Sequence, residues 1–331
     1  MSNVIMVKTI EDFTNIWNLP LYHPLIGVYD MRNAQSRVPH NHMYSFNMLL
    51  LRSSSGHPFL YGDESYSYRN GSVIAICPYQ LAGPLRGYTG EYKPSGRVLI
   101  WSNDMFHGTR VSQMYSDYHF FSYRSNTSLD VNDAERSMIL TNMDRLDAML
   151  KEHGPDVNII ESAQILSEIL DVCMKTFKRQ IDTFCREPSG LLSMTEYFLL
   201  KYFKGGLAAK LGLLRVSHLA RACGLDESYY GTRFHQLTGV YAKEYIQFWM
   251  MNAAKIRLAS GWADLEAIAK ALGFTHPNHF STFFKSMTGM TPSEYRMNRF
   301  RKLRLHRTEA GLELYRGGFG VLSGPGSVEI E

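Results

Sequence analysis

A chain of 331 residues is long enough for two domains with a core each, and its 45% apolar and 20% charged residues are an ordinary globular mixture. No stretch approaches the roughly 18 uninterrupted apolar residues of a membrane span, so no membrane partner is expected. The net charge of +4 conceals an excess of basic residues in one block: residues 1–203 hold 18 Lys/Arg against 21 Asp/Glu, residues 204–307 hold 16 against 6, and residues 308–331 hold 1 against 4. Such a block suits a phosphate backbone and equally a solvated basic face, so charge alone does not choose between them.

The opening "MSNVIMVKTIEDF" has acidic residues and no basic stretch ahead of an apolar one, unlike a secretory leader. Cys77, Cys173, Cys185 and Cys223 lie far apart without a C-x-x-C pair, which argues against a disulfide framework or zinc cluster and suits a reducing cytoplasm. From about 25 to 125 the chain has β texture: "YSFNMLLL", "FLYGDESYSY", "SVIAI", "GRVLIWS" and "YHFFSY" alternate with Gly, Pro, Ser and Asn. Asn70-Gly71 between two such runs predicts a hairpin, because both residues tolerate positive φ. Short strands at this spacing predict a sandwich or barrel.

His40 and His42 are the candidate ligand contacts of this region. Metal chemistry would want a carboxylate a few residues on and a later histidine, but "MYSFNMLLL" has no acid and "CPYQLAGPL" no His. No metal and no cofactor are therefore expected, and the two histidines read as a solvent-exposed strand mouth or as polar contacts to a small effector. No Ser-His-Asp arrangement, P-loop or G-x-G-x-x-G opens a helix, so catalysis is not expected.

From about 131 the texture is helical. Ile159, Ala163, Leu166, Leu170, Cys173 and Phe177 follow alternating steps of four and three, a stripe that either pairs two subunits or packs on the chain's own β-domain. "CREPSGLL", with Pro188 and Gly190, reads as a linker.

Beyond it the chain repeats itself. "HLARACGL" (218–225) matches "AIAKALGF" (267–274), and "FHQLTGVYAKEY" (234–245) matches "FKSMTGMTPSEY" (284–295). Each copy reads as a helix, a sharp turn at Gly224 or Gly273, and a second helix burying Tyr230 and Phe234 or Phe280 and Phe284. Asp226 and Thr275 are the expected N-caps, with Pro277 acceptable in a first turn. Two copies are too few for a solenoid, which needs at least three units. Between them "AKEYIQFWMMNAAKIRLAS" (242–260) predicts a helix about 27 Å long, close to the roughly 34 Å that separates two readers of successive major grooves.

On these motifs residues 195–300 resemble the DNA-binding domain of the AraC/XylS family of bacterial transcription regulators. "IAKALGFTHPNHFSTFFKSMTGMTPSEYR" (268–296) is similar to the family's signature, and "LARACGLDESYYGTRFHQLTG" matches it more loosely. The resemblance implies an α+β chain. It would have a cupin-like effector-sensing domain (1–130), a helical connector (131–187), an all-α domain with two helix-turn-helix units joined by a linker helix (188–307), and a tail (308–331). It implies double-stranded DNA as partner, a small-molecule effector, a homodimer in the cytoplasm, and contact with RNA polymerase as an activator. The alternative from another class is a cupin-type small-molecule-binding protein or metalloenzyme with a helical appendage.

Carried over position by position, the resemblance puts base reading on Ser228, Gly231 and Thr232 in the first unit and on Asn278, His279, Ser281 and Thr282 in the second. The family often has Arg at the positions of Thr232 and Thr282, so readout here leans on Asn278 for adenine and on threonine methyls for thymine. Arg233 lies one position along, facing inward or reaching a phosphate. "RMNRFRKLRLHR" (296–307) carries six Lys/Arg, among which Arg299, Arg301 and Lys302 are candidate phosphate contacts, with a solvated helix end as the plain alternative.

Overall fold

The computed structural model describes residues 4–36, 40–53, 59–61, 64–66, 71–84, 95–106, 128–180, 190–260 and 264–297. "YHFFSY", most of the 185–190 linker, Arg299, Arg301, Lys302 and the tail fall outside them.

The N-terminal half is β-rich. Its strands are β1 (Val4–Val7), β2 (Ile26–Asp30), β3 (Asn41–Tyr44), β4 (Asn47–Leu51), β5 (Phe59–Tyr61), β6 (Glu64–Tyr66), β7 (Ser72–Ile76), β8 (Leu81–Pro84), β9 (Arg97–Trp101) and β10 (Leu129–Asp130). They form two five-stranded sheets, ordered β1-β3-β8-β5-β6 and β10-β7-β4-β9-β2. A helix not foreseen in the sequence, α1 (Ile10–Trp17), starts at Thr9 with a capping box to Asp12 and buries Ile10, Phe13 and Trp17.

The second sheet explains its own continuous apolar runs. Met48, Leu50, Ile74, Ile76, Val98 and Ile100 point into the sandwich with Phe13, Tyr44 and Phe46. Their neighbours Leu49, Leu51, Val73, Ala75, Leu99 and Trp101 point the other way, onto α2 (Asp133–His153) and α3 (Ile159–Gln180). A strand covered on both faces has no polar side to alternate with.

One expectation changes here, and two open points are settled. β6 and β7 lie in different sheets, so they do not form the expected hairpin; Gly71 takes φ +87°, and Asn70 lies outside the described residues. "YSFNMLLL" contributes to two strands, split at Ser45-Phe46. The stripe from Ile159 to Phe177 is buried against the chain's own sheet and against Ile139, Met143, Leu146 and Leu150 of α2. Of the two alternatives for that stripe, the structure takes packing within the chain.

His42 is also not at a solvent-exposed mouth. It is buried on β3, its ring 5.8 Å from Tyr44 and 6.0 Å from Trp17, while His40 is half-buried ahead of the strand. Burial first, and the neighbouring His40 second, push the His42 imidazole down to about 4. Above its ordinary value of 6.5 both folded and unfolded states are neutral. As pH falls from 6.5 towards 4 only the unfolded chain takes the proton, so stability is lost across that window, by up to about 3 kcal/mol. Urea melts at stepped pH should show this loss in the wild type and its absence in His42→Phe. Equal slopes in the two proteins would refute it.

The C-terminal half is all-α: α4 (Leu191–Lys204), α5 (Leu207–Leu211), α6 (Val216–Ala222), α7 (Glu227–Thr238), α8 (Ala242–Ser260), α9 (Leu265–Ala271) and α10 (Pro277–Thr288), followed by helical residues 292–297. Its core is aromatic, with Tyr202, Tyr230, Phe234, Tyr245, Phe280 and Phe284 all fully buried. Met43 and Leu81, from the outer face of the first sheet, join this core. No helix among the described residues is long and apolar enough to cross a membrane.

Candidate nucleic-acid interface

The two repeats fold alike. α6 and α7 form the first helix-turn-helix, α9 and α10 the second, and Ala220 and Ala269 are buried where the helices cross. The turn glycines take φ +68° at Gly224 and +87° at Gly273, a region closed to most side chains. Gly273 has a second reason to be glycine: a Cβ there would lie 2.4 Å from the Gly212 carbonyl oxygen, whereas one at Gly224 would meet nothing. The Gly212–Gly273 approach brings the end of α5 against the second unit's turn, so that unit is held by more than the linker helix α8.

The recurring Thr-Gly and Glu-Tyr pairs turn out to be joints. Thr238 Oγ1 donates to the Phe234 carbonyl at 2.8 Å and accepts from the Val240 amide at 3.2 Å. Thr288 does the same with Phe284 at 2.8 Å and Met290 at 3.3 Å. Gly239 and Gly289 end α7 and α10 in the left-handed conformation. Glu244 and Glu294 then reach back to the Tyr241 and Thr291 amides, at 3.4 and 2.7 Å, to start the next helix. Tyr245 and Tyr295 pack on Phe234 and Phe284, with ring centroids 5.1 and 5.0 Å apart.

Asp226 caps α7 as expected, accepting from the Ser228 and Tyr229 amides. In the second unit the N-cap is His276, without a side-chain bond, and Thr275 lies one residue too early. Pro277 occupies the first turn, where its missing N–H costs nothing.

With the apolar residues turned inward, the other face of each second helix is open. Ser228, Thr232 and Arg233 are exposed on α7, and Gly231 is half-buried with free space beyond it. Asn278, His279 and Thr282 are exposed on α10, with Ser281 half-buried. Thr232 and Thr282 each return their hydroxyl to the carbonyl four residues back, at 3.0 Å, which leaves the methyl as the outward-facing group. Arg233 points neither inward nor free: its Nη1 donates to Gln236 Oε1 at 3.0 Å.

The sequence reading overlooked three exposed rings. Tyr229 is 56% exposed beside Ser228, Tyr241 is 62% exposed and stacked at 4.3 Å on His235, and His276 meets His279 edge-on at 5.5 Å. The available signal at Tyr229 was an aromatic residue on the polar face of an otherwise amphipathic helix.

Residues 219–298 match the family described as "Helix-turn-helix domain". An AraC-like transcription regulator of Streptomyces antibioticus is 33% identical over 81 residues, 24% of this chain and 27% of that relative. A second, from Streptomyces lividans, is 32% identical over the same length. The chain carries a helix-turn-helix domain similar to that of AraC-like transcription regulators. The match spans about a quarter of the length of these curated relatives.

Among solved structures, the DNA-binding domain of AdpA in complex with a target DNA is 18% identical to this chain, with a TM-score of 0.30, covering 35% of this chain and 96% of that one. Fatty-acid-bound ToxT from Vibrio cholerae is 14% identical, with a TM-score of 0.31, covering 82% of this chain and 94% of that one.

Two thiols, half-buried Cys77 and buried Cys173 of α3, are chemically quiet. Burial pushes both Cys77 and Cys173 up to about 12, so neither is a thiolate near neutral pH. Among the described residues no group of three His, Cys, Asp or Glu side chains could hold a metal ion.

Proposed function

We propose that the chain is a sequence-specific transcription regulator that reads two successive major grooves of double-stranded DNA, one with α7 and one with α10. The observation that carries this reading is the paired geometry. Two alike helix-turn-helix units present open polar helix faces and are joined by a 19-residue helix about 28 Å long. That length, with the width of the units, suits readers placed about 34 Å apart.

In this reading Ser228, Gly231, Thr232, Asn278, His279, Ser281 and Thr282 face the bases, while Arg233, Arg299, Arg301 and Lys302 serve the phosphates. Residues 1–130 form the sensing half, 131–187 the connector and 188–307 the reading half, with 308–331 a tail. A small effector entering the sandwich near His42 would meet the Trp17 and Tyr44 rings. The protein would act in the cytoplasm, without catalysis, and in contact with RNA polymerase. A homodimer would have to form through a face other than the α3 stripe, which is already covered.

Sites are first selected from genomic fragments, then titrated with base-pair variants at fixed salt. Asn278→Ala should lose about 1–3 kcal/mol, concentrated at one base pair of the half-site under α10. A loss spread equally over all sequences would make Asn278 a phosphate contact and sink the base-reading assignment.

A further inference from the structure

The joint formed by Glu-Tyr is completed differently in the two copies. In the first, the Tyr245 hydroxyl donates to Glu196, a buried carboxylate on α4, and the Tyr230 hydroxyl meets Thr195 Oγ1 at 2.9 Å on the same helix. α4 thus holds the first reading helix through Tyr245 and Phe234. In the second copy Phe280 stands where Tyr230 does and has no hydroxyl. The linker helix α8 offers one acid, Glu244, which already caps its own start. The Tyr295 hydroxyl instead donates, at 3.0 Å, to Asp104 Oδ1, 191 positions earlier in the chain.

Asp104 belongs to the 3-10 turn Asn103–Phe106 that follows β9. Its neighbour Asn103 donates to Asn252 Oδ1 of α8 at 3.0 Å and accepts from Asn47 Nδ2 of β4 at 2.7 Å. Close by, the Tyr79 ring stacks on Phe248 of α8, centroids 5.0 Å apart and planes 11° from parallel. Tyr79 holds φ at +68°, a conformation unfavourable for any residue with a Cβ, so the surrounding contacts must over-determine it. Met43 and Leu81 add apolar contact from the first sheet.

We propose that this face of the N-terminal half is an intramolecular docking surface for the second reading unit, and that Asp104 is a positioning residue for α10, acting through Tyr295 and Phe284. The N-terminal half supplies to the second unit the carboxylate that α4 supplies to the first. It docks away from Asn278, His279 and Thr282, which stay exposed, so it acts as a buttress and not as a block. A ligand that shifts this turn acts on the second reader through Tyr295, and DNA held by the second reader feeds back on that ligand to the same degree. The consequence for DNA rests on the proposed groove reading; the docking itself does not.

The test uses the full chain throughout. Backbone amide exchange is followed over 277–297 and over 227–238 in wild type, Asp104→Ala, Tyr295→Phe, the double variant, and Asp104→Asn, which keeps an oxygen acceptor. Each of the first two changes should speed exchange in 277–297 about fivefold, as loss of one hydrogen bond implies, and leave 227–238 unchanged. The double variant should be no faster than the singles, and Asp104→Asn should restore most of the protection. On a selected two-half-site DNA, Asp104→Ala should bind about fivefold more weakly and respond less to base changes under α10 alone. Equal acceleration in both units, additive singles, or tighter DNA binding by Asp104→Ala would overturn the proposal. The expected exchange pattern in a chain that binds no DNA would uphold the docking and overturn the groove reading.

Discussion

Raising salt from about 50 to 200 mM should weaken DNA binding by about a thousandfold or more, close to 4 kcal/mol, if six or more phosphates are neutralised. The charge that drives this is concentrated: 16 Lys/Arg against 6 Asp/Glu between residues 204 and 307. The fold sorts those cations. Arg215, Arg221, Lys243, Lys270 and Lys285 are exposed and free to face a backbone. Lys255 and Arg257 are not, since burial holds both below their ordinary values and Arg257 Nη2 donates to the Phe203 carbonyl. Each exposed cation that meets a phosphate adds about 0.9 to the log–log salt slope. Titrations at four or five salt concentrations measure the slope, and Lys285→Ala should lower it by about one. A flat salt dependence would mean that the basic block is only a solvated face.

Gly273→Ala should destabilise the chain by about 3–4 kcal/mol, and Gly224→Ala by about 1. Both residues sit in the left-handed region, where a Cβ costs about 1–2 kcal/mol. Only at Gly273 does the added carbon also strike backbone, 2.4 Å from the Gly212 oxygen and 2.7 Å from the Gly212 carbonyl carbon. Backbone has no other rotamer to move to, so relief means shifting α5 against the second turn, an overpacking cost of about 1–3 kcal/mol. Urea midpoints of the two variants compare them directly. Equal losses would show that the turn conformation alone, and not the close approach of Gly212, makes Gly273 necessary.

That contrast also separates what was readable in the chain from what was not. The repeat was readable because its determinants are local: apolar residues four apart, a turn glycine, Asp226 ahead of a helix, small Ala220 and Ala269 at a crossing. The same logic put α8 at Ala242–Ser260 and the outward positions of α7 and α10 on open faces. Local logic failed where two solutions share one pattern. Asn70-Gly71 suits any turn with positive φ, and only strand pairing assigned β6 and β7 to different sheets. The stripe from Ile159 to Phe177 suits any apolar partner, and the second sheet was the one at hand.

By itself, then, the sequence determined two helix-turn-helix units, their turns, their inward and outward faces and the length of helix between them. Each of these depends on interactions within a few residues, whose geometry the helix period dictates. Tertiary structure decided the partners. The twin tyrosines 245 and 295 are indistinguishable in their local motifs, yet one hydroxyl meets Glu196 and the other meets Asp104. A hydroxyl buried in a core must be satisfied, but nothing in its neighbourhood along the chain says which carboxylate folding will bring to it.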